Sequence, residues 1–286
     1  MLDFIKYHGL GNDFILLKGG LSGRAEPRNA KVKALCARST GIGADGLMLA
    51  HPSTCADLKM TLINSDGTKP EMCGNGLRCL VKHAVDDLGL RAQPLMVETG
   101  AGVLACNWAL GEGGKVERVE VAMGAPSFDR AEIPMLGQGS SLELPIELDG
   151  RTWTASGVGT GNPHMVIFGE ASLTIASTWG PRLTHHPMWP RGANVEFVER
   201  LSETHLRVRV WERGCGLTQA CGTGATAAAA AAVRLELAPA DTKIRVSLPG
   251  GDLFIRVAGD LQQAWMEGPA VEVYRGQLPI DALSIA

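Results

Sequence analysis

Hydrophobic and polar positions alternate along much of this chain with the period of two that a half-buried strand requires. The pattern predicts strands near Leu2–Tyr7, Leu47–Ala50, Leu58–Asn64, Leu95–Thr99, Gly102–Trp108 and Val116–Ala122. A second series is predicted near Leu142–Leu148, Thr152–Val158, Met165–Phe168, Asn194–Val198, His205–Trp211, Lys243–Leu248, Leu253–Val257 and Ala264–Glu267. Helical patterns are few. Pro27–Arg38 opens with a proline, which suits a first helical turn. Gly74–Asp87 is broken at Gly89, and Ser172–Trp179 is a third candidate. Gly124–Ser141 holds Pro126, Pro134, Gly137 and Gly139 and is the candidate linker. Many strands and few helices predict an α+β fold in two lobes.

One helix pattern is unusual. Ala227–Ala232 are consecutive alanines following Gly224-Ala225-Thr226. Such a segment has high helix propensity and no amphipathic stripe. A helix that is apolar all round is normally buried all round, so the expectation is a central helix wrapped by strands. The alternative is an ordinary surface helix.

Two helix starts nearly repeat each other. Cys73-Gly74-Asn75-Gly76 opens one and Cys221-Gly222-Thr223-Gly224 the other. The register extends further. Asn12 follows Gly9-Leu10-Gly11 and Asn162 follows Gly159-Thr160-Gly161, and Asn64 and Glu212 each lie nine residues before a motif cysteine. Landmarks in the same order point to an internal duplication, at a period far too long for a solenoid. A duplicated fold tends to place its active groups near an axis between the halves, which predicts Cys73 and Cys221 face to face.

Composition narrows the field. The 286 residues suffice for two buried cores. Net charge is −3, and no basic stripe or zinc-finger spacing points to nucleic acid. No apolar run is long enough for a membrane span. The start, Met1-Leu2-Asp3-Phe4, enters a strand pattern without a signal-peptide core, which predicts a cytoplasmic protein. Seven cysteines, an odd number in a large chain, fit reduced thiols better than a disulfide framework. Cys36, Cys55 and Cys106 read as packing residues. Cys79 and Cys215 create Cys-x5-Cys spacings, but neither matches a common zinc site, and no metal is expected. The glycine clusters lack the spacing of nucleotide-binding loops.

The chemistry follows from the helix starts. A helix N-terminus carries free N–H donors and a partial positive charge, so it favours a thiolate and binds carboxylates. Removing an α-proton from an amino acid drives charge into its carboxylate, where aimed donors stabilise it. Inverting that carbon needs a base on one face and an acid on the other. A thiol and a thiolate that share one proton as a coupled pair fill both roles. Arg213 could hold a carboxylate bidentately, and His164 and Glu212 could tune the thiols.

These residues resemble a known family. Phe4-Ile5-Lys6-Tyr7-His8-Gly9-Leu10-Gly11-Asn12-Asp13-Phe14 is similar to the opening of the diaminopimelate epimerases. So are Asn64-Ser65-Asp66-Gly67, Glu71-Met72-Cys73-Gly74-Asn75-Gly76-Leu77-Arg78-Cys79, Gly161-Asn162-Pro163-His164 and Glu212 through Ala225. The resemblance runs on to Gly268-Pro269-Ala270 and Tyr274, nearly the whole chain. It implies interconversion of LL- and meso-2,6-diaminopimelate, on the route to lysine and peptidoglycan precursors, without pyridoxal phosphate, other cofactor or metal. It implies two pseudo-symmetric lobes, each wrapping strands around a central helix. Lobe one would be 1–124 plus 270–286, carrying Cys73, and lobe two 125–269, carrying Cys221. Cys73 and Cys221 would be the acid/base pair, with His164 and Glu212 modulating them. Asn12, Asn64, Asn162, Asn194, Glu212 and Arg213 would bind substrate, with Gly74, Asn75, Gly222 and Thr223 at the helix starts. Tyr274 would serve a homodimer contact.

Some positions depart from the family pattern. Gly46 stands where some members carry a substrate-contacting glutamine, Cys215 where Ala or Val is usual, and Ser65 and Thr68-Lys69-Pro70 also differ. Two rivals remain at this level: a related racemase of histidine, proline or hydroxyproline, and a non-catalytic thiol protein acting in redox sensing or metal binding.

Overall fold

The computed structural model describes residues 1–18, 27–70 and 72–278. Glu71 of the first cysteine motif, and residues 279–286 of the segment assigned above to lobe one, lie outside the described residues. The chain divides into two compact units, Met1–Val121 with Gly268–Ala286, and Ala122–Glu267.

In the first unit β1 (Leu2–Gly9) and β2 (Asn12–Leu17) form an antiparallel hairpin. β3 (Gly46–His51) lies parallel to β2, β4 (Leu58–Asn64) antiparallel to β3, and β5 (Leu95–Thr99) parallel to β4. β6 (Gly102–Leu110) and β7 (Val116–Gly124) continue antiparallel. Each parallel step needs a crossover. α1 (Asn29–Cys36) supplies the first and α2 (Gly74–Asp86) the second.

The second unit repeats this order. β8 (Leu144–Leu148) pairs antiparallel with β9 (Arg151–Gly159), and β9 with β10 (Pro163–Phe168). β11 (Asn194–Ser202) lies parallel to β10 after α3 (Leu173–Leu183), and β12 (His205–Glu212) antiparallel to β11. β13 (Gly216–Leu217) is a short strand on β12. α4 (Gly222–Arg234) leads to β14 (Ile244–Leu248), parallel to β12. β15 (Gly251–Val257) and β16 (Ala264–Pro269) follow antiparallel. β17 (Val271–Leu278) then pairs with β1 as β8 pairs with β9. The chain is thus α+β with two lobes of one topology.

α2 and α4 are the central helices. α2 packs against β1, β2, β3, β4 and β6, and α4 against β9, β10, β11, β12, β14 and β15. Ala227–Ala232 are all fully buried. Methyl-sized side chains let strands approach on every side, which explains why this helix needs no amphipathic face.

Four readings of the pattern change. β2 goes unpredicted because Phe14, Ile15 and Leu16 are all buried, so the strand shows no alternation. β17 goes unpredicted for the opposite reason, since none of its residues is buried. The supposed linker is part of the second lobe: Ile133 and Met135 enter its core, Ser127 bridges to Gly159, and Arg130 ties down the carbonyls of Gly139 and Ser140. Its prolines and glycines make turns inside a packed segment. α3 runs past Gly180-Pro181, where a stop was expected. Gly180 is required there because a Cβ would meet the Trp211 side chain at 2.5 Å.

Candidate active site

In the first lobe the extended backbone at Cys73 (φ −143°) turns into α2, and Cys73 Sγ accepts from Gly76 N–H at 3.4 Å. The cysteine is itself the N-cap, a place usually filled by an oxygen-bearing side chain. Asn12, at the head of β2, brings its Oδ1 to 3.8 Å from Cys73 Sγ and accepts from Asn75 Nδ2 at 3.3 Å. Gly74 and Asn75, the first residues of α2, are buried. Beneath the helix start lies an apolar floor. A Cβ on Gly76 would sit 3.3 Å from Met48 Sδ and 3.5 Å from Phe14 Cζ. Asn64, at the end of β4, donates to Thr68 Oγ1 at 3.0 Å, so one of the departing residues engages its amide. A Cβ on Gly46 would lie 3.0 Å from Ile63 O and 3.1 Å from Leu62 Cδ1, so the packing at this strand residue suits glycine.

In the second lobe Cys221 (φ −121°) caps α4, accepting from Gly224 N–H at 3.4 Å with Thr223 Oγ1 also 3.4 Å away. Gly222 is buried at the same helix start. Glu212, from the end of β12, accepts from Thr218 Oγ1 at 2.6 Å, and its negative charge acts on Cys221. His164 lies on β10. Its Nδ1 is 2.7 Å from Glu196 Oε1 and its Nε2 2.8 Å from Asn162 Oδ1. The His164 and Glu196 side chains are both fully buried. A Cβ on Gly224 would come within 2.7 Å of Glu196 Oε1, so only glycine lets this carboxyl lie against the first turn of α4. Asn194 Oδ1 accepts the backbone N–H of Arg213 at 2.9 Å, and the Arg213 guanidinium donates to the carbonyls of Arg191 (2.7 Å) and Gly192 (3.2 Å).

Glu196 was absent from the sequence-derived set. The signal was available: Asn194 and Glu196 are two apart on β11 and therefore share a strand face. Its Oε2 is buried with no hydrogen-bond partner.

The electrostatics of Cys221 run against the helix-start expectation. Burial pushes its thiol well up, the carboxylates of Glu212 and Glu196 push the same way, and the contacts from Thr223 and Gly224 N–H only partly offset them. Desolvation and adjacent negative charge both disfavour a thiolate. Burial also raises the Glu212 carboxyl, with Glu196 adding to it against the hydrogen bond from Thr218. Burial and adjacent charge thus both favour the protonated thiol at Cys221.

The other cysteines are free thiols too. Cys36, Cys79 and Cys106 are buried and pushed up by burial to about 11, 12 and 12. Cys55 is exposed beside Ser53 and Glu98, which corrects its reading as a packing residue, and Cys215 is exposed as well. Tyr274 lies on β17, 43% exposed, with its ring edge on Phe4. Among the described residues no cluster of His, Cys, Asp or Glu is arranged to hold a metal, and no helix is long and apolar enough to cross a membrane.

Two lobes of equal topology, each with a cysteine capping its central helix, place the chain in a recognisable class. The fold is that of solved amino-acid racemases and epimerases. It matches a probable proline racemase from Agrobacterium radiobacter K84 with a TM-score of 0.71 at 14% identity, covering 100% of this chain and 96% of that one. It matches a hydroxyproline epimerase from Agrobacterium vitis equally well, at 0.71 and 14%, covering 98% and 92%. Within that fold the chain belongs to the diaminopimelate epimerase family, whose model matches residues 4–128 and 156–273. A diaminopimelate epimerase of Moorella thermoacetica is 45% identical over 98% of this chain and 100% of its own length.

Proposed function

We propose that this protein interconverts LL- and meso-2,6-diaminopimelate by moving one proton at an α-carbon between two cysteines. The observation that carries the reading is the paired helix start, with Cys73 Sγ and Cys221 Sγ each 3.4 Å from a backbone N–H donor, in a chain of this family. A thiolate takes the α-proton, and its electron pair passes into the substrate carboxylate as an enolate. The other thiol returns a proton to the opposite face. With Cys221 protonated, it is the acid of the half-reaction in which Cys73 is the base.

The remaining roles follow this reading. His164 and Glu212 set the proton affinity of Cys221. Asn12, Asn64, Asn162, Asn194, Glu212 and Arg213 bind substrate, and the first residues of α2 and α4 offer N–H groups to its carboxylate. The mechanism needs no cofactor, because the carboxylate itself accepts the charge. The protein works in the cytoplasm, as a step toward lysine and peptidoglycan precursors, and as a homodimer through β17, where Val271, Val273 and Tyr274 are exposed. Neither rival reading has an observation that favours it over the full-length relatives.

Incubation with LL-diaminopimelate in deuterated water tests the proposal. Appearance of the meso isomer with one deuterium at the inverted carbon supports it. Exchange with a different amino acid only, or with none, refutes it. Sedimentation equilibrium of the wild type and of Tyr274→Ala tests the dimer.

A further inference from the structure

Two charged residues stand at the ends of a hydrogen-bond chain behind Cys73, and the reaction as proposed gives neither a role. Arg78 Nη2 donates to Asn75 Oδ1 at 2.9 Å. Asn75 Nδ2 donates to Asn12 Oδ1 at 3.3 Å, and Asn12 Nδ2 donates to Asp45 Oδ2 at 2.7 Å. A side-chain amide can present either end, but a guanidinium only donates and a carboxylate only accepts. Arg78 therefore fixes the Asn75 amide with its oxygen toward the guanidinium. Asp45 fixes the Asn12 amide with its nitrogen toward the carboxylate. The oxygen of Asn12 is left facing Asn75 and Cys73 Sγ, 3.8 Å away. Flipping either amide sets donor against donor or acceptor against acceptor.

Both ends are themselves anchored. Asp45 accepts from Arg38 Nη2 at 2.6 Å and from the backbone N–H of Asp13 at 3.1 Å. Asp13 is clamped in turn: burial opposes its charge, yet Arg38 and Lys6 hold its carboxyl down to about 2. Arg78 is fully buried, with Nε on the Pro269 carbonyl at 3.1 Å and Nη1 on the Gly74 carbonyl at 3.4 Å. Its burial is costly without such partners.

We propose that Asp45 and Arg78 are positioning residues that lock the Asn12 side-chain oxygen toward Cys73. The sulfur then meets an acceptor that holds its S–H when Cys73 is protonated, and when Cys73 is the base the Gly76 N–H, 3.4 Å away, supports the thiolate. The kinetic consequence rests on the function proposed above; the lock itself does not.

The direct test is the Asn12 side-chain amide in nitrogen-15-labelled protein, its signal identified by its loss in Asn12→Asp. One amide proton held on a carboxylate exchanges slowly with water. In Asp45→Asn that exchange should accelerate at least about tenfold, the size of one charged hydrogen bond. Equal exchange in the two proteins overturns the proposal. The Asp45 side chain is 40% exposed, so the variant should fold. Arg78→Lys keeps the charge but not the planar fork, and should speed exchange of the Asn75 amide; no change there removes Arg78 from the lock.

Removing the acceptor gives the kinetic test. Asp45→Asn should lower kcat/KM by about 10- to 100-fold. An unchanged kcat/KM overturns the proposal. Absence of diaminopimelate turnover in the unmutated protein would refute the function and leave the amide-exchange result standing.

Discussion

The two helix starts share a backbone and differ in what lies beneath them. In lobe one Phe14 on β2 pairs with Gly46 on β3, and in lobe two His164 on β10 pairs with Asn194 on β11. Two residues further along each second strand stand Met48 and Glu196. Phe14 and Met48 therefore occupy in one lobe the places of His164 and Glu196 in the other. Phe14 and Met48 lie under Gly76, the third residue of α2, and Glu196 lies under Gly224, the third residue of α4. One cysteine thus rests on an apolar floor with an amide oxygen beside it, while the other rests on a buried carboxyl–imidazole pair with Glu212 alongside. Duplication gives both cysteines the same helix-start geometry, and differences at two positions in the strands beneath give them different surroundings. A reaction reversible at one carbon needs the first property; assigning acid and base in the resting protein needs the second.

The largest effect should come from the shared feature. In the proposed mechanism Cys73→Ala and Cys221→Ala each remove the proton carrier of one face. Each should lower epimerisation by at least about 10²- to 10⁴-fold. Measured in both directions, a variant retaining near-normal turnover would show that one cysteine suffices and that the repeat is only structural.

The next test moves one floor into the other. Met48→Glu would bury a carboxyl where the neighbouring ring is Phe14 and no imidazole can pair with it. An uncompensated buried charge costs about 3–5 kcal/mol, read as a fall in the urea midpoint at unchanged slope. Adding Phe14→His should return part of that loss. If Met48→Glu is harmless, the floor of lobe one is wetter than its burial indicates, and the contrast between the lobes weakens.

This contrast also shows where the sequence is readable. Most strands were legible because one face is buried and the other is not. β2 and β17 were not, since burial on both faces or on neither erases the alternation. The cysteine motifs were legible as a repeat, because caps need specific residues at specific offsets. Glu196, Asp45 and Arg78 were not. A charged residue within a strand or helix, such as Glu196 or Arg78, reads as solvent-facing unless something shows that its face is buried. For Glu196 that something is its register with Asn194, visible only once β11 is treated as a strand of the site. For Asp45 the partner is the Asn12 amide, distant in sequence; Arg78 has a local partner in Asn75 on the same helix, but its anchor on the Pro269 carbonyl is distant and no local pattern shows it. The candidate linker failed differently: Pro and Gly mark turns, and turns occur within packed segments as well as between lobes.

A smaller effect should separate the two thiols. Glu196→Gln keeps the shape of the side chain and removes one negative charge near Cys221. A thiol is an acid, so nearby negative charge favours its protonated form and removing that charge lowers its pKa. The pH midpoint for iodoacetamide labelling of Cys221, followed on its peptide by mass spectrometry, should move down by about one unit, equivalent to about 1.4 kcal/mol. The midpoint of Cys73 in the same sample should stay where it was. A Cys221 midpoint that holds or rises would remove Glu196 from its surroundings and leave burial and Glu212 to set it.

The smallest effect sharpens the comparison at a matched pair. Gly46 and Asn194 occupy equivalent places, but only Asn194 has a side chain to bond with. Its Oδ1 holds the Arg213 N–H at 2.9 Å, and the residue is 4% exposed. Asn194→Gly should cost about 1 kcal/mol for that bond, and more if the buried N–H finds no new partner. Gly46→Ala should also destabilise by about 1 kcal/mol, through crowding of the Ile63 carbonyl and Leu62 rather than through a lost bond. Denaturant titration gives both sizes, and kinetics distinguishes their causes. Asn194→Gly should raise KM, because it frees the backbone that carries Arg213. Gly46→Ala should leave KM nearly unchanged if the glycine is there for packing. A rise in KM for Gly46→Ala comparable to that for Asn194→Gly would place Gly46 against the substrate and make the two strand positions functional equivalents.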